Sequence, residues 1–445
     1  MIYWHMQMNQ PWGRDGGIID STELLNLDDS VIGTGEWDDV QCRYFTGEDN
    51  RALEIGDFVL VREGKKPLAI CEVTSDCFQN DELMKKFHHE NYRTVDVLGW
   101  VNENEKFPQV LGTLQRLTDS GTDSWKLINK WHKEILKKQY MERYTNILKN
   151  LKPQMILQGP PGTGKTYTAK EIAYSMIFDK NISSEKKKKE DDMKLLEDTG
   201  QYKLIQFHPA YSYEDFVRGI VSKINIHNQV EFKVENKTLA EFAQKALENP
   251  LAKYVLIIDE INRANLPAVL GELIYALEYR FDDENPGGTT VESMYALKAN
   301  ENDVEGDRSL RLPINLYIIG TMNTADRSVG HIDYAIRRRF AFVNFPPRKS
   351  VINEVISDVS VKQKANELYD KVETLFNSPT LASDFNKNDV QIGHSYFLAK
   401  TLDELNLKTN YEIKPILKEY LKDGILLSKF DSKGIDLTLQ FIEEL

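Results

Sequence analysis

Three short stretches of this chain carry residue types and spacings suited to phosphate chemistry. The first, GPPGTGKT at 159–166, fits the G-x-x-x-x-G-K-[ST] loop. Gly159, Gly162 and Gly164 let a backbone wrap closely around an anion with its N–H groups turned inward. Pro160 and Thr163 fill the positions between them. A helix opening at Lys165 adds the partial positive charge of its N-terminus. In such a loop Lys165 reaches the terminal phosphates and the Thr166 hydroxyl ligates Mg2+. The second stretch is VLIIDEINRAN at 255–265. Four apolar residues place Asp259 at the carboxyl end of a buried strand, where it holds the metal through water. Glu260 stands beside it to polarise an attacking water. Two adjacent carboxylates could instead cap a helix, but the upstream loop favours catalysis. The third is GTMNTADRS at 320–328, where Asn323 is of the right type to orient water or the γ-phosphate. Downstream, Arg337, Arg338 and Arg339 lie in HIDYAIRRRFAF. They either end a basic helix against its dipole or serve the nucleotide of an adjoining subunit, an effect of about 10³–10⁵ in rate.

These residues need strands to hold them. MILQ (155–158), LIQFHP (204–209), YVLIIDE (254–260), LYIIGTMN (316–323) and FAFVNF (340–345) are the candidates. Their continuous apolar runs predict a parallel α/β sheet covered on both faces. The charged stretch 182–200 reads as a solvated insertion, and the chain after 346 reads as amphipathic helix. Upstream, Leu127, Ile128, Trp131, Ile135, Met141, Tyr144 and Ile147 follow helical spacing until Pro153. Residues 1–124 read as a small β-rich domain, clearest in two β-rich runs around a turn at Glu63–Pro67, the second being Leu68–Val73. The expected organisation is therefore 1–124, a connecting helix at 125–150, a nucleotide-binding domain at 151–346 and a helical lid at 347–445.

At 445 residues the chain is too long for one ordinary core. Its net charge of −13 argues against indiscriminate coating of nucleic acid, though not against a pocket that grips one base. No apolar run approaches the roughly 20 residues that cross a bilayer. The N-terminal sequence lacks a secretory pattern. Cys42, Cys71 and Cys77 cannot all pair and lack metal-ligand spacing, so they read as reduced thiols of a cytoplasmic protein. The triplet Glu231-Phe232-Lys233 ends like a metal-nuclease signature, but such triplets arise freely in so charged a chain. No nuclease is expected here.

Taken together, these motifs resemble the AAA+ family, and more closely its McrB branch, over roughly 150–425. The resemblance rests on FHPAYSYEDFVRGI (207–220), DEINRANLPAVLGELIYALE (259–278), GTMNTADRS (320–328), IDYAIRRRF (332–340), QIGHSYFL (391–398) and YEIKPILKEYL (411–421). Ala210 stands where that branch carries serine. The resemblance implies GTP in preference to ATP, a homo-hexameric ring, and an McrC-like partner that carries the nuclease. It makes Asn323 the sensor, Asp326 part of the signature loop, and Arg263 a residue near the subunit interface. Arg338 and Arg339 resemble arginines that act on a neighbour's nucleotide, and 281–311 an inserted hairpin facing the ring's centre or the partner.

Residues 52–76 resemble EVE and PUA-like barrels, which hold a flipped modified base. There a modified cytosine in DNA would be stacked on aromatic rings and read at its edge. Trp4 and Trp37 are the candidate ring faces, unless they simply fill the barrel core. The resulting expectation is a GTP-driven motor that engages DNA carrying a modified base and drives translocation for a separate nuclease. Its rivals are an ATP-driven AAA+ chaperone acting on protein or RNA, and a ring that multiplies weak contacts by avidity.

Overall fold

The computed structural model describes residues 2–8, 21–35, 40–101, 104–108, 112–183, 185–224, 228–282, 289–298, 303–326, 332–377 and 379–445. Contacts divide the chain into two units, Met1–Glu142 and Arg143–Leu445.

The first unit is built on strands β1 (Tyr3–Gln7), β2 (Val31–Thr34), β3 (Phe58–Glu63), β4 (Lys66–Val73), β5 (Asn91–Trp100) and β6 (Leu114–Leu117). They form one sheet in the order β2-β5-β4-β3-β1-β6. Only the β1–β3 pairing is parallel among them. Both faces are buried, and alternation along each strand shows how. Trp4, Met6, Val59, Val61, Ala69 and Cys71 pack in one cluster. Tyr3, Leu60 and Ile70 pack in another, together with Ile128 and Trp131. The latter two belong to the helix Asp123–Asn146. That helix was expected to stand between domains as a connector. Instead its N-terminal two thirds cover a sheet face, because Ile128 and Trp131 carry the apolar stripe that Tyr3 and Leu60 require. By contacts, the division falls within this helix, at 142/143.

The second unit contains β7 (Gln154–Gly159), β8 (Tyr202–Gln206), β9 (Arg218–Ile224), β10 (Val230–Asn236), β11 (Tyr254–Asp259), β12 (Val291–Leu297), β13 (Asp307–Leu310), β14 (Leu316–Asn323) and β15 (Ala341–Asn344). Five of these make a parallel sheet in the order β15-β7-β14-β11-β8. β7 and β11 are buried along nearly their whole length, as their unbroken apolar runs predict. β9 and β10 form a separate antiparallel pair, as do β12 and β13 within the expected inserted hairpin. The charged insertion contains the helix Lys186–Asp198. Beyond 346 the chain is helical, with a second core around Ile352, Leu368, Tyr369, Ile392, Phe397, Ile413 and Leu417. The architecture is the α/β one expected: a parallel sheet followed by a helical lid, with a small sheet unit before it. No helix among the described residues is long and apolar enough to cross a membrane.

Candidate functional site

In the sheet order, β7, β14 and β11 are adjacent, and their carboxyl ends converge. Asn323 is in register with Gly159, and Gly320 with Ile258. Ligand crevices of open parallel sheets form outside such strand ends. The three stretches singled out by their chemistry therefore meet at one place.

Leaving β7, the loop turns through Gly162 and Gly164 in left-handed conformations, φ 77° and 82°, before the helix Lys165–Phe178 begins. A Cβ on Gly159 would collide with the carbonyl oxygen of Phe345 at the end of β15. The Lys165 ammonium is buried and donates to the carbonyls of Gly159 and Pro160, at 2.9 and 2.8 Å. Burial lowers its pKa to about 8, only partly opposed by Glu260 and Asp259. A buried cation held by neutral carbonyls is suited to an incoming polyphosphate, which supplies the missing negative charge. The Thr163 hydroxyl is buried and donates to the Pro160 carbonyl, 3.1 Å away, bracing the turn.

Asp259 accepts the Thr166 hydroxyl at 2.7 Å and the Thr321 hydroxyl on the same oxygen. Glu260 follows with φ 52°, a conformation non-glycine residues rarely adopt and one that clusters at active sites. Thr321 helps hold it there, accepting the Glu260 N–H at 3.3 Å, and the Arg263 N–H bonds the Glu260 carbonyl at 2.9 Å. The turn presents the Glu260 carboxylate to Asn323, whose Nδ2 donates to Oε1 at 2.6 Å. Arg263 lies 3.2 Å from the other carboxylate oxygen and 3.3 Å from Asp326. Glu260, Arg263, Asn323 and Asp326 thus form one connected polar group beside the loop.

Sequence reasoning missed Thr321. It sits inside GTMNTADRS, and its two-residue spacing before Asn323 puts both on one face of β14, a signal that was available. Arg327 and Ser328 of that motif lie outside the described residues.

The arginine run divides. Arg338 is exposed, its guanidinium 3.8 Å from Glu278, and Arg337 lies over the Phe342 ring. Arg339 is a correction to the expectation of two outward-acting arginines. It is 7% exposed, pairs with Glu278 at 3.1 Å and donates to the Ala335 carbonyl at 2.7 Å. Its partners lie within its own chain.

Trp4 requires a second correction. It is 0% exposed, meets Tyr44 edge-on and donates its indole N–H to Asp57 at 2.9 Å. A ring so enclosed is core and offers no face to a base. Trp37 lies outside the described residues. A shallow concavity of about 470 Å³ does open in the first unit, bordered by Asp49, Asn50, Glu54, Asp76, Cys77 and Arg93, and no aromatic ring among the described residues lines it.

A family model of the AAA domain (dynein-related subfamily) matches residues 154–340, and one of the McrB alpha-helical lid domain matches residues 379–425. Over these stretches the chain is similar to the McrB-like AAA+ family. The Type IV methyl-directed restriction enzyme EcoKMcrB subunit of Escherichia coli (strain K12) is 37% identical over 296 residues, covering 62% of this chain and 56% of that protein. The Type II restriction enzyme BsuMI component YdiS of Bacillus subtilis (strain 168) is 27% identical over 219 residues, covering 44% of this chain and 58% of that protein. The chain thus spans little more than half the length of these curated relatives. The structure of human THYN1 protein in complex with 5-methylcytosine containing DNA overlaps 30% of this chain and 98% of that one, at 8% identity and a TM-score of 0.21. So slight a likeness carries no argument.

An McrB-like AAA+ module uses a nucleoside triphosphate and Mg2+, and the residues present suit both. Thr166 and Asp259 offer hard oxygen donors 2.7 Å apart, the ligand class Mg2+ prefers. Gly159, Gly162 and Gly164 keep the loop free of side chains, and Lys165 waits buried behind it.

Proposed function

We propose that the chain is the GTP-hydrolysing motor of a modification-dependent DNA restriction complex, working with a separate McrC-like nuclease. The observation that carries the reading is the connected group of Glu260, Asn323, Arg263 and Asp326 beside the phosphate loop, in a module of McrB-like family. Lys165 binds the terminal phosphates, and Thr166 and Asp259 hold Mg2+. When bound there, Mg2+ would supply positive charge against that developing on the transferred phosphoryl group. Glu260 orients water and takes its proton, its carboxylate fixed by Asn323. Arg338, exposed and lightly paired, serves the site of an adjoining subunit in a hexameric ring. The family's sequence neighbours, both restriction components, support the restriction context. The first unit engages DNA carrying a modified base; the resemblance of residues 52–76 to EVE and PUA-like barrels supports that assignment, with Trp37 as the remaining ring candidate.

Light scattering and competition binding with non-hydrolysable GTP and ATP analogues test the motor reading. Assembly with the guanine analogue and not the adenine one is the expected result. An equal or adenine-only response removes GTP and moves the chain to ATP-driven remodelling.

A further inference from the structure

The carboxyl ends of the parallel sheet carry the chemistry, and its amino ends carry a polar knot that this chemistry does not use. Gln154 opens β7, the strand that leads into the phosphate loop, and is only 2% exposed. Its Nε2 donates to the Leu277 carbonyl at 3.0 Å and to the Arg339 carbonyl. Its Oε1 accepts from Arg280 Nη2 at 2.7 Å. Two carbonyls on one side and a guanidinium on the other permit only this orientation of the amide. Arg280 in turn donates through Nη1 to the Leu316 carbonyl at 3.1 Å, where β14 begins. One side chain therefore joins β7, the end of the helix Leu273–Glu278 and the arginine run, and reaches β14 through Arg280.

The arginine run follows the short helix Tyr334–Arg337. Helix ends leave carbonyls without intrahelical partners, and here the donors come from the phosphate-loop strand and its approach. Lys152 Nζ bonds the Arg338 carbonyl and Gln154 the Arg339 carbonyl. The Arg339 guanidinium, paired with Glu278 at 3.1 Å, anchors the same turn from its side chain. With both carbonyls and the Arg339 side chain fixed, the direction in which the exposed Arg338 side chain leaves the backbone is fixed as well.

We propose that Gln154 is a positioning residue for Arg338, holding the arginine turn so that its guanidinium reaches the nucleotide of an adjoining subunit. Lys152 assists from nearer the surface. This rests on the reading of Arg338 given above and adds what aims it, namely the amino end of the subunit's own phosphate-loop strand.

Two full-length chains are mixed with GTP and Mg2+ to test it. The acceptor chain carries Arg338→Ala and the donor chain Glu260→Gln. The acceptor lacks the arginine and the donor lacks the base, so activity recovered on mixing arises at acceptor sites served by donor arginines. Gln154→Glu is then added to one chain at a time. Its carboxylate still accepts from Arg280 but has no N–H for the Arg339 carbonyl. In the donor it is expected to cut the recovered rate by about tenfold to hundredfold, the scale of a misplaced catalytic group. In the acceptor it is expected to leave the recovered rate unchanged. Lys152→Met repeats the comparison, with a smaller loss expected in the donor alone. Should Gln154→Glu lower the melting temperature, Lys152→Met decides by the same comparison. Equal losses in donor and acceptor mark a role in sheet stability and overturn the proposal. A loss confined to the acceptor assigns Gln154 to the phosphate loop of its own subunit and also overturns it, as does no loss in either chain. Mixtures that recover no activity before Gln154 is changed refute the reading of Arg338 itself, and this inference with it.

Discussion

The two units use their unusual residues in opposite ways. In the second unit, polar groups are gathered at strand ends and left with capacity to act: a buried lysine on loop carbonyls, a glutamate turned by a left-handed backbone, a hydroxyl-braced aspartate. In the first unit, the residues of greatest chemical interest are absorbed into architecture. Trp4 is sealed in the core. The fully buried Arg62 and Arg93 donate to backbone carbonyls of Gly64 and Phe45. His5 accepts from Arg62 at 3.2 Å and is held neutral. Residue type alone does not separate these uses; position relative to a strand end does.

The sharpest test of this contrast lies inside the arginine run. Arg338→Ala should lower hydrolysis in the assembled state by about 10³-fold or more while leaving the melting temperature unchanged. Arg339→Ala should do the reverse, losing stability with its Glu278 pairing. Steady-state kinetics and melting curves on both variants decide it, and equal catalytic losses would return Arg339 to the interface. Next, Glu260→Gln should cut turnover by about 10²–10⁴-fold with nucleotide affinity nearly intact, because Asn323 can still bond the amide oxygen. If affinity collapses instead, Glu260 is a binding group.

Smaller in scale, Trp4→Ala should destabilise the first unit by about 3–5 kcal/mol without changing nucleotide affinity in the second. Denaturant melts followed by tryptophan fluorescence, beside nucleotide titration, would show whether the units are energetically separate. The gentlest perturbation is acid. His5, His89 and His132 all have pKa values lowered to about 4, burial being the first cause in each. The unfolded chain takes up these protons near pH 6.5 and the folded unit does not. Stability from these groups is therefore full above pH 6.5 and lost as pH falls toward 4, by at most ~3 kcal/mol per histidine. Melting curves of the first unit's tryptophans across that window should show the decline; a flat profile would mean the imidazoles reach water.

Much of the second unit was legible because its strands end in the residues that do chemistry. Leu316–Asn323 has the bounds its apolar run suggests. LIQFHP was read too far: the strand stops at Gln206, since Phe207 leaves it to pack against Tyr211 and Phe216. The β9–β10 pair was missed. Its alternation was present, but Ile224 and Phe232 are each 73% exposed, so no core demanded them and charged neighbours masked the period. Glu231 and Lys233, suspected only as a stray nuclease triplet, merely pair with each other at 3.1 Å. The turn at Glu260 was illegible for a different reason: a left-handed backbone at a non-glycine residue is imposed by its surroundings, here Thr321 and Arg263. Trp4 failed for a third. A small sheet unit needs large rings in its core for the same reason a base needs them outside, and composition is silent on which side a ring faces.

The phosphate loop has three of its carbonyls engaged by segments distant in sequence: Gly159 by the Thr324 N–H, Pro161 by Gly393 and Gly162 by Ser395. Those three donors are amide protons that exchange with solvent only when the loop lets go. Their deuterium uptake would therefore register ligand arrival without any label or mutation, and the order in which they slow would reveal which segment the loop grips first.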